Sequence, residues 1–156
     1  MAVVAAASLG GWWLGVARQG GPGLVRVAAV IDGDTVEVTA GGRRETVRLL
    51  GVDTPETVHP RRPVECFGPE AAAFTRARLL GRTVRLSFDR VRRDPYGRIL
   101  AYVETTDGRR FNDELLAGGY ATLLVIPPNG AHGRAMLARE LEARRAGRGL
   151  WGACER

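Results

Sequence analysis

Lysine is absent from this chain, and all 23 basic side chains are arginine. Arginine holds phosphate bidentately, which lysine cannot. Cysteine is nearly absent as well: there are two, Cys66 and Cys154, with no Cys-x-x-Cys or His-x3-His spacing. That disfavours a zinc site assembled with His59 and His132. No segment repeats another. The longest apolar run, Met1 to Ala17, falls short of the roughly 20 residues a spanning helix needs. What remains is a 156-residue chain with a formal charge of +6, enough for one domain with a real core. Its basicity favours a polyanionic partner, nucleic acid ahead of membrane.

The apolar start contains Trp12-Trp13 and no charge before Arg18. It fits the hydrophobic region of a signal peptide, with Gly15-Val16-Ala17 as a small-residue cleavage site, although no Lys or Arg precedes it. An uncleaved anchor and a mis-chosen start codon are the alternatives. The expectation is export. Residues 1–23 are read as signal peptide or membrane anchor plus the Gly/Pro-rich linker Gln19–Gly23, and residues 24–156 as the folded domain. Any membrane contact is expected only through residues 1–17, and a monomer is the default. In an exported protein an even cysteine count invites a Cys66–Cys154 disulfide. It would tie the loop after an acidic cluster to the extreme C-terminus, stabilising by up to ~4–5 kcal/mol of loop entropy. Two unrelated buried thiols are the alternative.

Alternation and turn residues predict strands over Leu24–Ile31, Thr35–Thr39, Glu45–Val52, Thr83–Asp89 and Ile99–Thr105, with Gly41-Gly42 turning the first hairpin. Gly68-Pro69-Glu70 opens a helix whose apolar face is Ala73, Phe74, Ala77 and Leu80, and Gly81 ends it. Asn112 caps a short helix, Ala121–Ile126 is extended, and a last helix over about 133–146 turns Leu137 and Leu141 inward. The order β-β-β-α-β-β-α-α suits a small closed barrel with helices packed on it, an α+β arrangement.

Chemistry-bearing residues gather in three segments. Ile31-Asp32-Gly33-Asp34-Thr35-Val36 holds two acids; Arg48-Leu49-Leu50-Gly51-Val52-Asp53-Thr54-Pro55-Glu56 holds an arginine and two more. Asp94-Pro95-Tyr96-Gly97-Arg98 adds a second arginine at a turn. The hairpin sets Thr35 opposite Arg48, which leaves Asp53 roughly 13 Å further along at strand rise. A bulge or strong coiling is needed to bring Asp34 and Asp53 to one ion. Given that closure, Asp34, Asp53 and the Thr54 carbonyl offer oxygen ligands to Ca2+, and Glu56 could deprotonate a water. Arg48 and Arg98 could hold phosphate oxygens. Asp-Gly and Asp-Pro-Tyr-Gly are also ordinary turn chemistry. Arg48 differs, because an unpaired charge inside the apolar Val47-Arg48-Leu49-Leu50 would be costly.

These segments, with Phe67-Gly68-Pro69-Glu70-Ala71 and Gly149-Leu150-Trp151, resemble the staphylococcal nuclease (thermonuclease-like) family in order and spacing, from about Val25 to Trp151. The resemblance implies a five-stranded OB-fold barrel with three packed α-helices. It also implies Ca2+-dependent, sugar-nonspecific hydrolysis of DNA and RNA, single strands favoured, cutting P–O5′ to leave 3′-phosphates. It assigns Ca2+ to Asp34, Asp53 and the Thr54 carbonyl, catalysis to Arg48, Glu56 and Arg98, and nucleotide phosphate to Tyr96, with Asp32 close to the metal. The chain departs from the family type where tyrosines pack on nucleotide: here stand Leu124, Val125 and Ile126. The Cys66 and Cys154 pair is a second departure, one that suits an exported relative. The alternatives to a nuclease are a catalytically inactive OB-fold module that binds nucleic acid or protein, and an anchored surface scaffold.

Overall fold

A computed structural model describes residues 23–58, 61 and 63–154. The signal, anchor and linker readings of residues 1–22, and His59, lie outside the described residues. No helix among the described residues is long and apolar enough to cross a membrane.

The described residues open with three antiparallel-linked strands, β1 (Gly23–Asp32), β2 (Thr35–Ala40) and β3 (Arg43–Leu49). After a three-residue strand β4 (Gly51–Asp53) and a loop comes helix α1 (Gly68–Leu79). Strands β5 (Thr83–Ser87) and β6 (Ile99–Glu104) follow, then α2 (Phe111–Ala117), β7 (Thr122–Leu124), α3 (Gly133–Arg145) and a final turn, α4 (Leu150–Ala153). Five strands close into a barrel in the order β1-β2-β3-β6-β5, the β3–β6 pairing being parallel. This is the expected barrel with helices packed on it.

Closure depends on β1, which pairs with β5 through Gly23–Arg26 and with β2 through Arg26–Asp32. Its register slips between Val27 and Ala29 and again between Val30 and Asp32. Such bulges raise the local twist, and that lets one strand serve both neighbours. The alternation predicted from sequence fills the interior: Val27, Val36, Val38, Val47, Val84, Ala101 and Val103 are fully buried. Each buried valine contributes on the order of 1.5–3 kcal/mol relative to exposure.

The helices lie where expected, but two of them turn a different face inward. In α1 the buried positions are Ala71, Ala72, Thr75 and Leu79, whereas Leu80 is exposed. Small residues let this helix approach β1 closely, and Thr75 Oγ1 donates to the Gly33 carbonyl (2.6 Å). In α3 Met136, Glu140 and Ala143 are buried, and Leu137 and Leu141 are exposed. The rotation follows from Glu140, whose Oε1 accepts from Leu123 N (3.3 Å) and from Arg144 Nη2 (3.0 Å). Asn112 is no cap. It is buried, accepting from Val103 N (2.9 Å) and donating to the Leu50 carbonyl (2.8 Å), so it ties β6 to the bend between β3 and β4. Cys66 and Cys154 form a disulfide across a sequence separation of 88, and no described cysteine is free.

Candidate active site

The predicted hairpin register holds: Thr35 pairs with Arg48, and Leu49 N donates to the Asp34 carbonyl (2.9 Å). Beyond Leu49 the chain leaves the barrel. Gly51 adopts φ +75°, and β4 pairs with β7 instead. A side chain at Gly51 would meet Met136 Cε at 2.6 Å as well as that backbone strain, so glycine is required there. The gap of roughly 13 Å expected from strand rise is thus closed by a bend at Leu50-Gly51 rather than by a bulge in the ladder.

Arg48 fills the inside of that bend. Its Nη1 donates to the carbonyls of Leu49 and Val52, both at 2.7 Å. Its Nη2 contacts Asp53 Oδ1 at 2.8 Å and Asp34 Oδ2 at 3.2 Å. The guanidinium side chain is only 15% exposed, so the charge in the apolar strand is paired as its placement demanded.

The acids crowd around it. Asp34 is buried; its Oδ2 accepts from the N–H and hydroxyl of Thr54 (2.9 and 3.1 Å) and its Oδ1 from the Thr35 hydroxyl (2.9 Å). Asp32, also buried, accepts from Gly33 N (2.8 Å) and from the Thr57 hydroxyl (2.6 Å). The glycine between them is set by close packing, since a Cβ at Gly33 would lie 2.8 Å from the Thr54 side chain. The Asp-Gly-Asp turn is therefore built into the site and is more than surface punctuation. Glu56, half-buried, folds its Oε1 onto the N–H groups of Thr57 and Val58 (3.0 and 2.8 Å). Burial pushes the Asp32 carboxyl up; the Thr57 and Gly33 hydrogen bonds oppose this, and Asp34 and Glu56 add to it. Asp53 is likewise pushed up by burial, pulled back by Arg48, and pushed up again by Asp34, Glu65 and Glu56.

Arg98 stands at a second station. Its Nε donates to Asp94 Oδ2 (2.6 Å), its backbone N to Asp94 Oδ1 (2.9 Å), and its guanidinium lies 5.6 Å from the centre of the Tyr96 ring. Tyr96 is 86% exposed. Arg48 and Arg98 line one cleft of about 450 Å³, together with Tyr96, Leu124, Ile126 and Asn129. Leu124 and Ile126, the residues that depart from the family type, form part of its wall. Asn129 ties that wall together, its amide accepting from Val91 N (2.8 Å) and donating to Val91 O (2.7 Å). Asp89 anchors it to the barrel: burial pushes its carboxyl up, but bonds from Ala131 N, Arg90 N and the Tyr102 hydroxyl outweigh that and hold it below the usual range.

The structure therefore brings Asp32, Asp34, Arg48, Asp53 and Glu56 into one cluster and places Arg98 and Tyr96 along the cleft that Arg48 also lines. Among the described residues no three acids, histidines or cysteines converge tightly enough to cage a metal by themselves. The donor set around Asp34, Asp53 and Thr54 is nevertheless all oxygen, and its crowded carboxyls are short of positive charge. It fits a hard cation that keeps several waters. Sequence reasoning missed Glu65, which accepts from Glu56 N (3.0 Å), and Asn129. Neither carries a local signal: Glu65 meets Glu56 across nine residues of an irregular, proline-bearing loop, and Asn129 meets Val91 from a loop 38 residues away.

A family model described as staphylococcal nuclease homologue matches residues 46–153. The chain is 42% identical to the thermonuclease of Staphylococcus intermedius over 125 residues, 80% of this chain and 74% of that protein. It is 38% identical to the thermonuclease of Staphylococcus hyicus over 126 residues, 81% of this chain and 74% of that one. Endonuclease YncB of Bacillus subtilis is 41% identical over 107 residues, 67% of this chain and 50% of its own length.

Proposed function

This chain belongs to the staphylococcal nuclease family and is a nuclease, and from that premise we propose that it is an exported, Ca2+-dependent, sugar-nonspecific phosphodiesterase. Its substrates are DNA and RNA, single strands favoured, and it cuts P–O5′ to leave 3′-phosphate ends. The observation that carries the reading is the convergence of Asp34 and Asp53 on one nitrogen of Arg48, with Glu56 beside them.

Asp34, Asp53 and the Thr54 carbonyl would hold Ca2+, which would supply Lewis-acid polarisation of the phosphoryl group. Glu56 accepts the proton of the attacking water. The Nη1 side of Arg48 is fixed by two carbonyls, so the guanidinium plane is preorganised. Its Nη2 side, held by carboxylates, is the edge for which a non-bridging phosphate oxygen can compete. Arg98 supplies the opposing donors, its orientation fixed by Asp94. Charge grows on those oxygens in the transition state, which is where fixed donors act most strongly. Tyr96, exposed at the cleft mouth, hydrogen-bonds the terminal phosphate. Asp32 supports the cluster through Thr57 without touching substrate. Export is supported by the Cys66–Cys154 disulfide, since such bonds persist in oxidising compartments.

The test is release of acid-soluble nucleotides from single-stranded DNA and from RNA, with excess Ca2+ or EGTA, for wild type and Glu56→Ala. Activity should require Ca2+ and fall at least ~10²-fold in the variant. A folded protein that binds nucleic acid without cutting it under either condition overturns the reading in favour of an inactive binding module.

A further inference from the structure

Glu56 is joined to a second acid by hydrogen bonds that run in both directions. Glu56 N donates to Glu65 Oε2 (3.0 Å), and Glu65 N donates to the Glu56 carbonyl (2.9 Å). The Glu65 carbonyl accepts in turn from Gly68 N (3.0 Å), the first residue of α1. The backbone carrying Glu56 is thereby fastened to Glu65, nine residues along the chain. The next residue, Cys66, is bonded to Cys154 immediately after α4. That terminal turn is anchored independently: Leu150 N donates to the Gly119 carbonyl (2.9 Å), and the Arg144 guanidinium lies 4.1 Å from the Trp151 ring centre. Phe67, the residue after Cys66, is held at φ +69° with its ring stacked on Tyr120 (centroids 5.6 Å). A left-handed conformation is unfavourable for a bulky residue and persists only where its surroundings over-determine it. Three constraints therefore meet on residues 65–68, and none of them comes from the barrel strands. The disulfide also flanks the acidic cluster, since Asp53, Thr54, Glu65, Cys66 and Cys154 line one shallow cavity of about 280 Å³.

We propose that Glu65 is a positioning residue for Glu56, and that the Cys66–Cys154 disulfide makes this positioning depend on the C-terminal turn. The inference rests on the reading of Glu56 as the group that takes the proton of the attacking water. A displacement of about 1 Å at such a group can cost on the order of a hundredfold in rate. The fastening has no reach to the cleft wall that holds substrate, so its loss acts on turnover and spares binding.

The experiment is a double-mutant cycle read in kcat and KM, with amide exchange at Glu56 as a measure that does not depend on activity. Glu65→Ala should accelerate exchange of the Glu56 N–H and lower kcat ~10-fold, with KM within about twofold of wild type. Glu65→Gln keeps an acceptor oxygen and should restore most of both. In a Glu56→Ala background, Glu65→Ala should lower kcat no further, because the group it positions is gone. The paired replacement Cys66→Ser and Cys154→Ser should show the same pattern at roughly threefold. A kcat loss that multiplies with Glu56→Ala, or one that appears in KM alone, overturns the positioning role. So does accelerated exchange at Glu56 with kcat unchanged. Wild-type kcat and exchange in the paired serine variant overturn the part assigned to the disulfide. If Glu56→Ala itself leaves kcat intact, the reading of Glu56 fails, and that outcome is separate from all the others.

Discussion

Asp32 and Asp53 of the acidic cluster respond to the fold in the opposite sense to Asp94 of the cleft wall and to Asp89, which anchors that wall. Asp32 and Asp53 are pushed up by burial, with like charges adding to it. Asp89 and Asp94 also feel burial, but backbone N–H donors, the Tyr102 hydroxyl and Arg98 carry both below the usual carboxylate range. A folded-state pKa that is raised means stability is lost as pH rises through it. A depressed one means stability is present above the ordinary value and lost as pH falls through the folded value. One region stores unfavourable charge where chemistry is to be done; the other spends its acids on holding loops in place. That division matches the general opposition between activity and stability at functional sites.

The largest effects should come from breaking the cluster at its centre. Arg48→Ala removes a phosphate donor and leaves Asp34 buried without its cation. Nucleotide release should fall ~10²–10³-fold, and stability in denaturant titrations should fall by ~3–5 kcal/mol. Arg98→Ala separates the two contributions. Its pair with Asp94 is part-exposed, 35% at the arginine, so activity should fall ~10²-fold while stability changes by less than ~1 kcal/mol. Equal losses of stability in both variants would abolish the distinction between the regions.

A matched pair of substitutions sharpens the comparison further. Asp32→Asn keeps an oxygen acceptor for Thr57 and removes a crowded charge, so in EGTA at pH 7 its Tm should rise by ~3 °C. The gain should vanish below about pH 4, where wild type is itself protonated. Asp89→Asn should lower Tm at pH 7, with the deficit shrinking as pH falls through the depressed carboxyl value of wild type. Scanning calorimetry across pH 3–8 reads both, and shifts of the same sign would contradict the division. The smallest effect belongs to the wall. Ile126→Tyr offers a stacking face to a base, worth about 1 kcal/mol, so KM for single-stranded DNA should fall ~5-fold with kcat unchanged.

Much of the candidate site could be read locally. The Gly41-Gly42 turn sets the hairpin register and hence the place of Arg48 opposite Thr35, and the arginine's setting among valine and leucines shows that it needs partners. The bend at Gly51 could not be read in the same way. Its positive φ depends on β4 pairing with β7, a strand about 70 residues away in the chain, and on Met136 occupying the space beside it. Helix faces were misread for a similar reason. Leu80, Leu137 and Leu141 make the more apolar stripes, yet α1 turns small residues inward to approach β1, and α3 turns Glu140 inward to reach Leu123. Hydrophobicity alone ranks these positions wrongly when close approach or a buried hydrogen bond decides.

Sequence by itself determined the barrel strands, through alternation over five short segments, and the inventory of acids and arginines, because side-chain chemistry needs no partner to be recognised. It also determined that Arg48 must be paired, because an isolated guanidinium cannot be buried. Only the tertiary structure decided which acids share that arginine, which face each helix buries, and that Glu65 exchanges hydrogen bonds with the backbone of Glu56. Those contacts follow no periodic pattern in the sequence, and packing and hydrogen-bond geometry select them only once the barrel has closed.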